Sequence, residues 1–246
     1  MLYAGICHTD VHAVKNEFGG AVFPFVPGHE LLGEVTEIGS EVTRFKVGDK
    51  VGVGCLVDSC LDCEQCRDDH ENYCDNQMTG TYNGQKKHGR VLGNPTSRTW
   101  GGYSGSNVVH EHFVNKIPDG LPLEKAAPIM CAGITMYDPL RHWGFTEKKD
   151  KVVGIVGIGG LGTMGIKIAK ALGHQVVAIS TSANKEALAK EKGADYFVVS
   201  TDPESIKALP VKCHIILNVV SANHDLNTYL PMLNKSGVLV QLGAAP

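Results

Sequence analysis

The sequence predicts an α/β protein in two parts: a β-rich first part and, after it, a doubly wound parallel sheet. Three observations predict it. From Val152 onward, short apolar runs alternate with helical stretches, the pattern of successive βαβ units. The first of these runs enters a glycine-rich turn, Gly157-x-Gly159-Gly160-x-Gly162. Before that, the chain is glycine-rich and strand-like, with turn signals such as Gly39-Ser40 and Gly48-Asp49. The expected division is residues 1–139 and 140–246.

In the first part, residues 31–38, 50–53 and 107–114 read as strands. Residues 123–143 are expected to supply a helix bridging the two parts. In the second part, strands are expected at 152–156, 175–179, 196–199, 214–219 and 238–242. A helix runs from 161 to about 172, apolar at Leu161, Met164, Ile168 and Leu172.

The glycine turn follows the G-x-G-x-x-G dinucleotide pattern. Gly157 permits the tight turn, Gly159 lets backbone approach a pyrophosphate, and Gly162 lets helix pack close to strand. The phosphates are expected at Gly159, Gly160 and Leu161, against the free N–H groups and positive dipole end of the helix. An acid about 20 positions on would hold the ribose 2′-hydroxyl of NAD. Here stand Ser180, Thr181, Ser182, Ala183, Asn184 and Lys185, with no carboxylate. Hydroxyls and a lysine suit a 2′-phosphate, so NADP(H) is the expected cofactor. Capping of a helix at 184–192 explains one hydroxyl of the run but not the missing acid.

The 246 residues suffice for one large or two ordinary domains, and the net charge of −3 is well mixed. No polybasic run points to nucleic acid or an anionic membrane. No apolar run approaches the roughly 18 residues of a membrane span, and no signal peptide is evident. Eight cysteines without a secretory signal point to a reducing, cytoplasmic setting and to metal rather than disulfides.

The strongest metal pattern is Cys60-x-x-Cys63-x-x-Cys66-x₇-Cys74, four thiolates that can close a tetrahedral shell around a structural zinc. An iron–sulfur cluster uses similar spacing, but no cysteine–proline cluster signature is present. Two further pieces are the stretch around Cys7 and the run Pro27-Gly28-His29-Glu30. A catalytic zinc takes three protein ligands and keeps one position open. Cys7 and His29 offer two, and Cys131 is the best remaining thiol. Cys55 and Cys213 sit in apolar runs and read as small core residues. Taken singly, each of Cys7, His29 and Cys131 is more often a packed residue than a ligand.

These residues carry a resemblance. The chain resembles the zinc-dependent medium-chain alcohol dehydrogenases, and within them the NADP-dependent cinnamyl-alcohol-dehydrogenase or aldehyde-reductase type. The match covers residues 4–10, 27–30, 46–54, the four-cysteine loop, Gly101-Gly102-Tyr103, 121–137 and 154–165. It implies a GroES-like β-rich catalytic domain followed by a Rossmann domain, both incomplete. It implies Cys7, His29 and Cys131 as catalytic zinc ligands, Glu30 as a neighbour that exchanges onto the metal, and Asp10 as the carboxylate that orients His29. Thr9 and His12 match a proton relay, and His8 a basic group near the pyrophosphate. His70, His88, His110 and His112 match no functional position.

The resemblance implies one zinc at each of the two sites, NADP(H), and hydride transfer between an aldehyde and a primary alcohol. Trp100, Tyr82 and Tyr103 are apolar enough to line a pocket for an aromatic or medium-chain substrate, though packing explains each equally. Complete relatives are expected to be homodimers. The chain begins just before the first ligand and ends after the fifth strand of the second part, so it reads as a piece of a longer protein. A catalytically silent nucleotide-binding protein is the alternative. A zinc-ribbon module contacting nucleic acid fits poorly, because Arg67 stands among Asp62, Glu64, Asp68 and Asp69.

Overall fold

The structure is a computed structural model that describes residues 1–87 and 98–244. It divides into two compact units, Met1–Cys131 and Ala132–Pro246.

The first unit holds a four-stranded antiparallel sheet in the order β1-β2-β3-β6, formed by β1 (Tyr3–Ala4), β2 (Leu31–Glu34), β3 (Lys50–Val53) and β6 (Asn115–Lys116). Helix α1 (His8–Val14) lies between β1 and β2. The short strands β4 (Leu56–Asp58) and β5 (Thr79–Gly80) pair apart from that sheet, with helix α2 (Glu64–Arg67) between them. Leu31, Val53, Val57 and Val114 pack on one side, and Leu32, Ile117, Ala126 and Ala127 on another. Each buried Val, Leu or Ile among these contributes about 1.5–3 kcal/mol.

Two expectations for this unit are corrected. Residues 107–114 form no strand: residues Glu111–Phe113 wind into a 3₁₀ turn. The Glu111 carboxylate accepts hydrogen bonds from the backbone N–H groups of Thr43 and Arg44, at 3.1 and 2.8 Å, which holds the segment off any ladder. The expected helix over 123–143 is broken. Helix α3 (Leu123–Ala126) passes into a 3₁₀ turn at Ala127–Met130, and α4 (Ala132–His142) starts afresh after Cys131. Pro128 lacks the N–H that a continuous helix would use. Cys131 sits at the break with non-helical dihedrals, which frees its side chain from either helix face.

The second unit is a five-stranded parallel sheet in the order β11-β10-β7-β8-β9. Its strands are β7 (Val152–Val156), β8 (Gln175–Ser180), β9 (Tyr196–Val199), β10 (Cys213–Asn218) and β11 (Leu233–Gln241). Helices α5 (Gly160–Ala171), α6 (Glu186–Glu191) and α7 (Pro203–Lys207) alternate with them. Every residue of β7 is buried, as a central parallel strand requires. Met136, Ile155, Ile166 and Val176 fill one face, and Val177, Ile179, Ile216 and Met232 the other. At Gly165 a Cβ would overlap the Met136 methyl, so glycine there lets α5 lie close to α4. Strand β11 starts earlier than the expected 238. Leu233 pairs with Cys213, then the register shifts, and Val238 pairs with Ile215. Strand order reverses between β7 and β10, the position where open α/β sheets bind ligands.

Candidate active site

The first cluster is built on the start of α1. Cys7 is the N-cap residue, and its backbone N–H donates to Asp10 Oδ2 at 3.2 Å. Asp10 is 4% exposed, yet all of its oxygen capacity is used. Oδ1 accepts from Gly28 N at 3.1 Å and from His29 Nδ1 at 2.9 Å. Oδ2 also accepts from the Tyr103 hydroxyl at 2.7 Å. Burial alone would raise the Asp10 pKa; the hydrogen bonds from His29 and Tyr103 reverse that and bring it to about 2. The residue is therefore both a helix-start acid and the orienting partner of the imidazole.

Gly28 and Gly101 let these segments meet. Gly28 has φ +102°, and a Cβ there would press on Tyr103. A Cβ at Gly101 would overlap the carbonyls of Pro27 and Gly28. Backbone hydrogen bonds Gly101 N to Val26 O and Tyr103 N to Pro27 O, 2.7 and 3.1 Å, fasten the strips together.

With Nδ1 held by Asp10, the other ring nitrogen of His29 points into the cluster. His29 Nε2 is buried and, among the described residues, has no hydrogen-bond partner. The ligand atoms of Cys7, His29, Glu30 and Cys131 lie within 4.8 Å of one another. An orphaned buried nitrogen facing two sulfurs and a carboxylate is costly unless a cation completes it. This donor set fits a zinc ion.

Without an ion, the groups of the cluster share protons and charge among themselves. The neighbouring Cys131 thiol and the His29 ring bring the Cys7 thiol down to about 3. Cys131 moves the other way, held protonated by the sulfurs of Cys55 and Cys7 beside it. Burial opposes charge on His29, but its hydrogen bond with Asp10 and the nearness of Cys7 outweigh that and raise it to about 10. Burial, followed by the Cys7 thiolate, raises Glu30 to about 6. A Cβ at Gly5 would overlap Glu30 Oε2, so glycine there makes room for the carboxylate.

Around the cluster, Thr9 Oγ1 lies 3.5 Å from Cys7 Sγ. His12 stands three positions along α1, with its side chain 12% exposed and its Nδ1 paired with Glu17. The exposed His8 ring lies 4.7 Å from that of His12. A cavity of about 290 Å³ opens beside Thr9, lined among others by Ala13, Phe18, Gly20, Tyr82 and Asn83.

Four ligand sulfurs of the second cluster, Cys60, Cys63, Cys66 and Cys74, also lie within 4.8 Å of one another, and none is in a disulfide. Cys63 N donates to Cys60 Sγ at 3.3 Å, and Cys60 N to Cys74 Sγ at 3.4 Å. Such N–H···S bonds favour thiolates, and the closed Cys₄ set fits a structural zinc.

In the second unit, Gly157 has φ +94° and donates its N–H to Ile179 O at 2.9 Å. A Cβ at Gly162 would overlap the Gly157 carbonyl, so strand and helix meet there. A Cβ at Gly159 or Gly160 would meet nothing within 4 Å. Packing does not demand those two glycines; they leave open space above the start of α5, with Leu161 packed on the core behind it. The N-cap, Gly159, has no side chain to cap the helix. This cradle fits a pyrophosphate. At the end of β8, Ser180 is 8% exposed and accepts from Ser182 N at 3.2 Å, while Thr181 and Lys185 are exposed. Ser182 makes no side-chain cap; its hydroxyl donates to Asn184 Oδ1 at 2.8 Å.

Comparison with known proteins decides the family. Residues 1–119 match the alcohol dehydrogenase GroES-like domain, and residues 160–246 match the zinc-binding dehydrogenase domain. A probable mannitol dehydrogenase of Fragaria ananassa is 51% identical over 99% of this chain and 66% of its own length. NADP-dependent alcohol dehydrogenase C 1 of Mycolicibacterium smegmatis is 49% identical over 98% of this chain and 67% of its own length. The chain belongs to the zinc-dependent alcohol dehydrogenases. Among solved structures, a cinnamyl alcohol dehydrogenase from Sorghum bicolor superposes with a TM-score of 0.86 at 45% identity, covering 96% of this chain and 65% of that one. Against the first of these relatives, this chain spans 66% of the length. Among its described residues, no helix is long and apolar enough to cross a membrane.

The contacts of three residues are not legible in the sequence. Tyr103 and Glu17 carry polar bonds to Asp10 and His12. Cys55, expected as a core residue, is instead exposed and adjoins Cys131. A Cβ at Gly54 would overlap the Met130 carbonyl, so glycine there leaves room for the two segments to approach. Cys213 is fully buried, as expected. His70, His110 and His112 are exposed; His88 lies outside the described residues.

Proposed function

We propose that this chain carries the metal and cofactor sites of an NADP(H)-dependent enzyme interconverting aldehydes and primary alcohols. The observation that carries it is the buried, partnerless His29 Nε2 directed at Cys7, Cys131 and Glu30. A zinc ion held there supplies Lewis-acid polarisation of a substrate oxygen, and NADP(H) supplies the hydride.

The chain's own residues do the rest. Asp10 fixes the His29 ring so that Nε2 alone is offered to the metal. Cys7 and Cys131, the latter losing its proton when the metal binds, would provide the negative charge that holds the ion. Glu30 stands by as an exchanging ligand. Thr9, beside Cys7, places a hydroxyl where it can pass a proton to or from the substrate oxygen. His12 then takes that proton towards solvent, with Glu17 steadying its Nδ1. The cavity at Thr9, walled by Phe18, Tyr82 and the bare Gly20, suits an aromatic or medium-chain apolar group. Cys60, Cys63, Cys66 and Cys74 hold a second, structural zinc.

In the second unit, Gly157, Gly159, Gly160, Leu161 and Gly162 cradle the pyrophosphate. Ser180, Thr181, Ser182 and Lys185 select the 2′-phosphate, in keeping with the name of the M. smegmatis relative. The test pairs metal analysis with NADPH-coupled reduction of an aldehyde panel including cinnamaldehyde and benzaldehyde. Two zinc ions per chain and aldehyde-dependent loss of NADPH are expected. Zinc and NADPH binding with no turnover of any aldehyde would leave only the silent nucleotide-binding reading.

A further inference from the structure

Asn218 ends β10 and is fully buried, and the chain uses every polar group it offers. Its backbone carbonyl accepts from Leu242 N at 2.8 Å and Gly243 N at 3.0 Å. Its Nδ2 donates to His224 Nε2 at 2.7 Å and to Gln241 Oε1 at 2.6 Å. Its Oδ1 accepts from Val220 N at 3.2 Å. Gln241 Nε2 in turn donates to Gly243 O at 2.7 Å. His224 Nδ1 donates to Ala222 O at 2.6 Å, which leaves Nε2 as the acceptor that Asn218 needs. A Cβ at Gly243 would overlap the Val220 carbonyl, so the chain leaving β10 and the chain leaving β11 are pressed together. Asn218, His224 and Gln241 thus form one polar knot.

Its position is informative. Asn218 pairs with Val156 across β10 and β7, and Val219 N donates to Val156 O at 3.0 Å. A Cβ at Gly157 would meet the side chains of Val220 and Val219 at 3.0 and 3.2 Å. The knot therefore borders the glycine turn on the side where strand order reverses. A dinucleotide crosses that crevice with one mononucleotide half on each side. The hydroxyl-rich end of β8 takes the phosphorylated adenosine half, which leaves the ends of β10 and β11 for the other.

We infer that the Asn218–His224–Gln241 knot is a positioning device for the nicotinamide half of the cofactor, in which His224 fixes the course of residues 219–223. The inference rests on the NADP(H) reading above. His224 touches no reacting atom; it acts through the backbone it holds. Without its acceptor nitrogen, a buried Asn218 donor is orphaned, and the loop is free to drift from the crevice.

The test is calorimetric titration of the full chain with NADPH and with 2′,5′-ADP, which carries only the adenosine half. For His224→Ala, the NADPH dissociation constant is expected to rise about tenfold, with 2′,5′-ADP binding unchanged. His224→Gln, which restores an acceptor, is expected to recover much of the loss. Gln241→Leu, on an exposed side chain, is expected to give the same split and serves if His224→Ala melts early. Equal weakening of both ligands, or of neither, overturns the inference and leaves the cofactor reading intact. Wild-type chain that binds neither ligand overturns the cofactor reading and the inference together.

Discussion

Asp10 shows how much one carboxylate can organise. It caps α1, holds the His29 ring, and accepts the Tyr103 hydroxyl, all while 4% exposed. Asn in its place keeps the shape but turns an amide NH₂ towards groups that are themselves donors. Asp10→Asn is expected to weaken zinc at the Cys7–His29–Cys131 site by about 10–100-fold, the usual effect of losing a ligand's carboxylate partner. Competition with a chromophoric chelator measures it. Unchanged affinity would mean that Nε2 is aimed by packing alone. Tyr103→Phe removes a single hydrogen bond to the same carboxylate and is expected to cost about 1–3 kcal/mol in chemical denaturation.

At the scale of the element, the glycine turn separates two reasons for having no side chain. At Gly162 a Cβ would strike the Gly157 carbonyl, so the fold itself forbids it. At Gly160 a Cβ would meet nothing of the protein. Gly162→Ala is therefore expected to destabilise the chain by about 3 kcal/mol, in the range of strained core substitutions. Gly160→Ala is expected to leave stability within about 0.5 kcal/mol while NADPH binding falls sharply. Denaturation beside fluorescence titration checks both, and equal behaviour of the two variants would refute the distinction. The same scale shows what could be read from the residues in order. The strands at 152–156, 175–180 and 196–199 declare themselves because apolar runs and glycine turns are local signals. The 107–114 segment misled because its shape is set by Glu111 bonding to Thr43 and Arg44, which no local pattern records. The bond of Tyr103 to Asp10 is not legible in the sequence, because the two lie 93 positions apart. Cys7, His29 and Cys131 were found only as a combination of residue types; their convergence needs the break after Met130 and the glycine strips around Gly28 and Gly101.

For the whole molecule, the two clusters of metal donors both fall in 1–131, and the glycine cradle falls in 132–246. Each unit has its own apolar core: Leu31, Leu32, Val53 and Ile117 in one, and Ile155, Ile166, Ile179 and Ile216 in the other. Ligands that bind only the folded form stabilise it by mass action, about 2.7 kcal/mol at a hundredfold excess over the dissociation constant. The stabilisation should therefore appear where each ligand binds. Hydrogen exchange is expected to show chelator-induced loss of protection within 1–131, strongest around Cys60–Cys74, whose short strands and turns bury few apolar residues. NADPH is expected to raise protection at the ends of β7, β8 and β10 without restoring what the chelator removed. Cys66→Ser is expected to reproduce the chelator pattern in that lobe and to lower the zinc content by one ion, with NADPH affinity held. Loss of cofactor binding in Cys66→Ser would mean that the metal lobe supports the whole chain rather than its own unit.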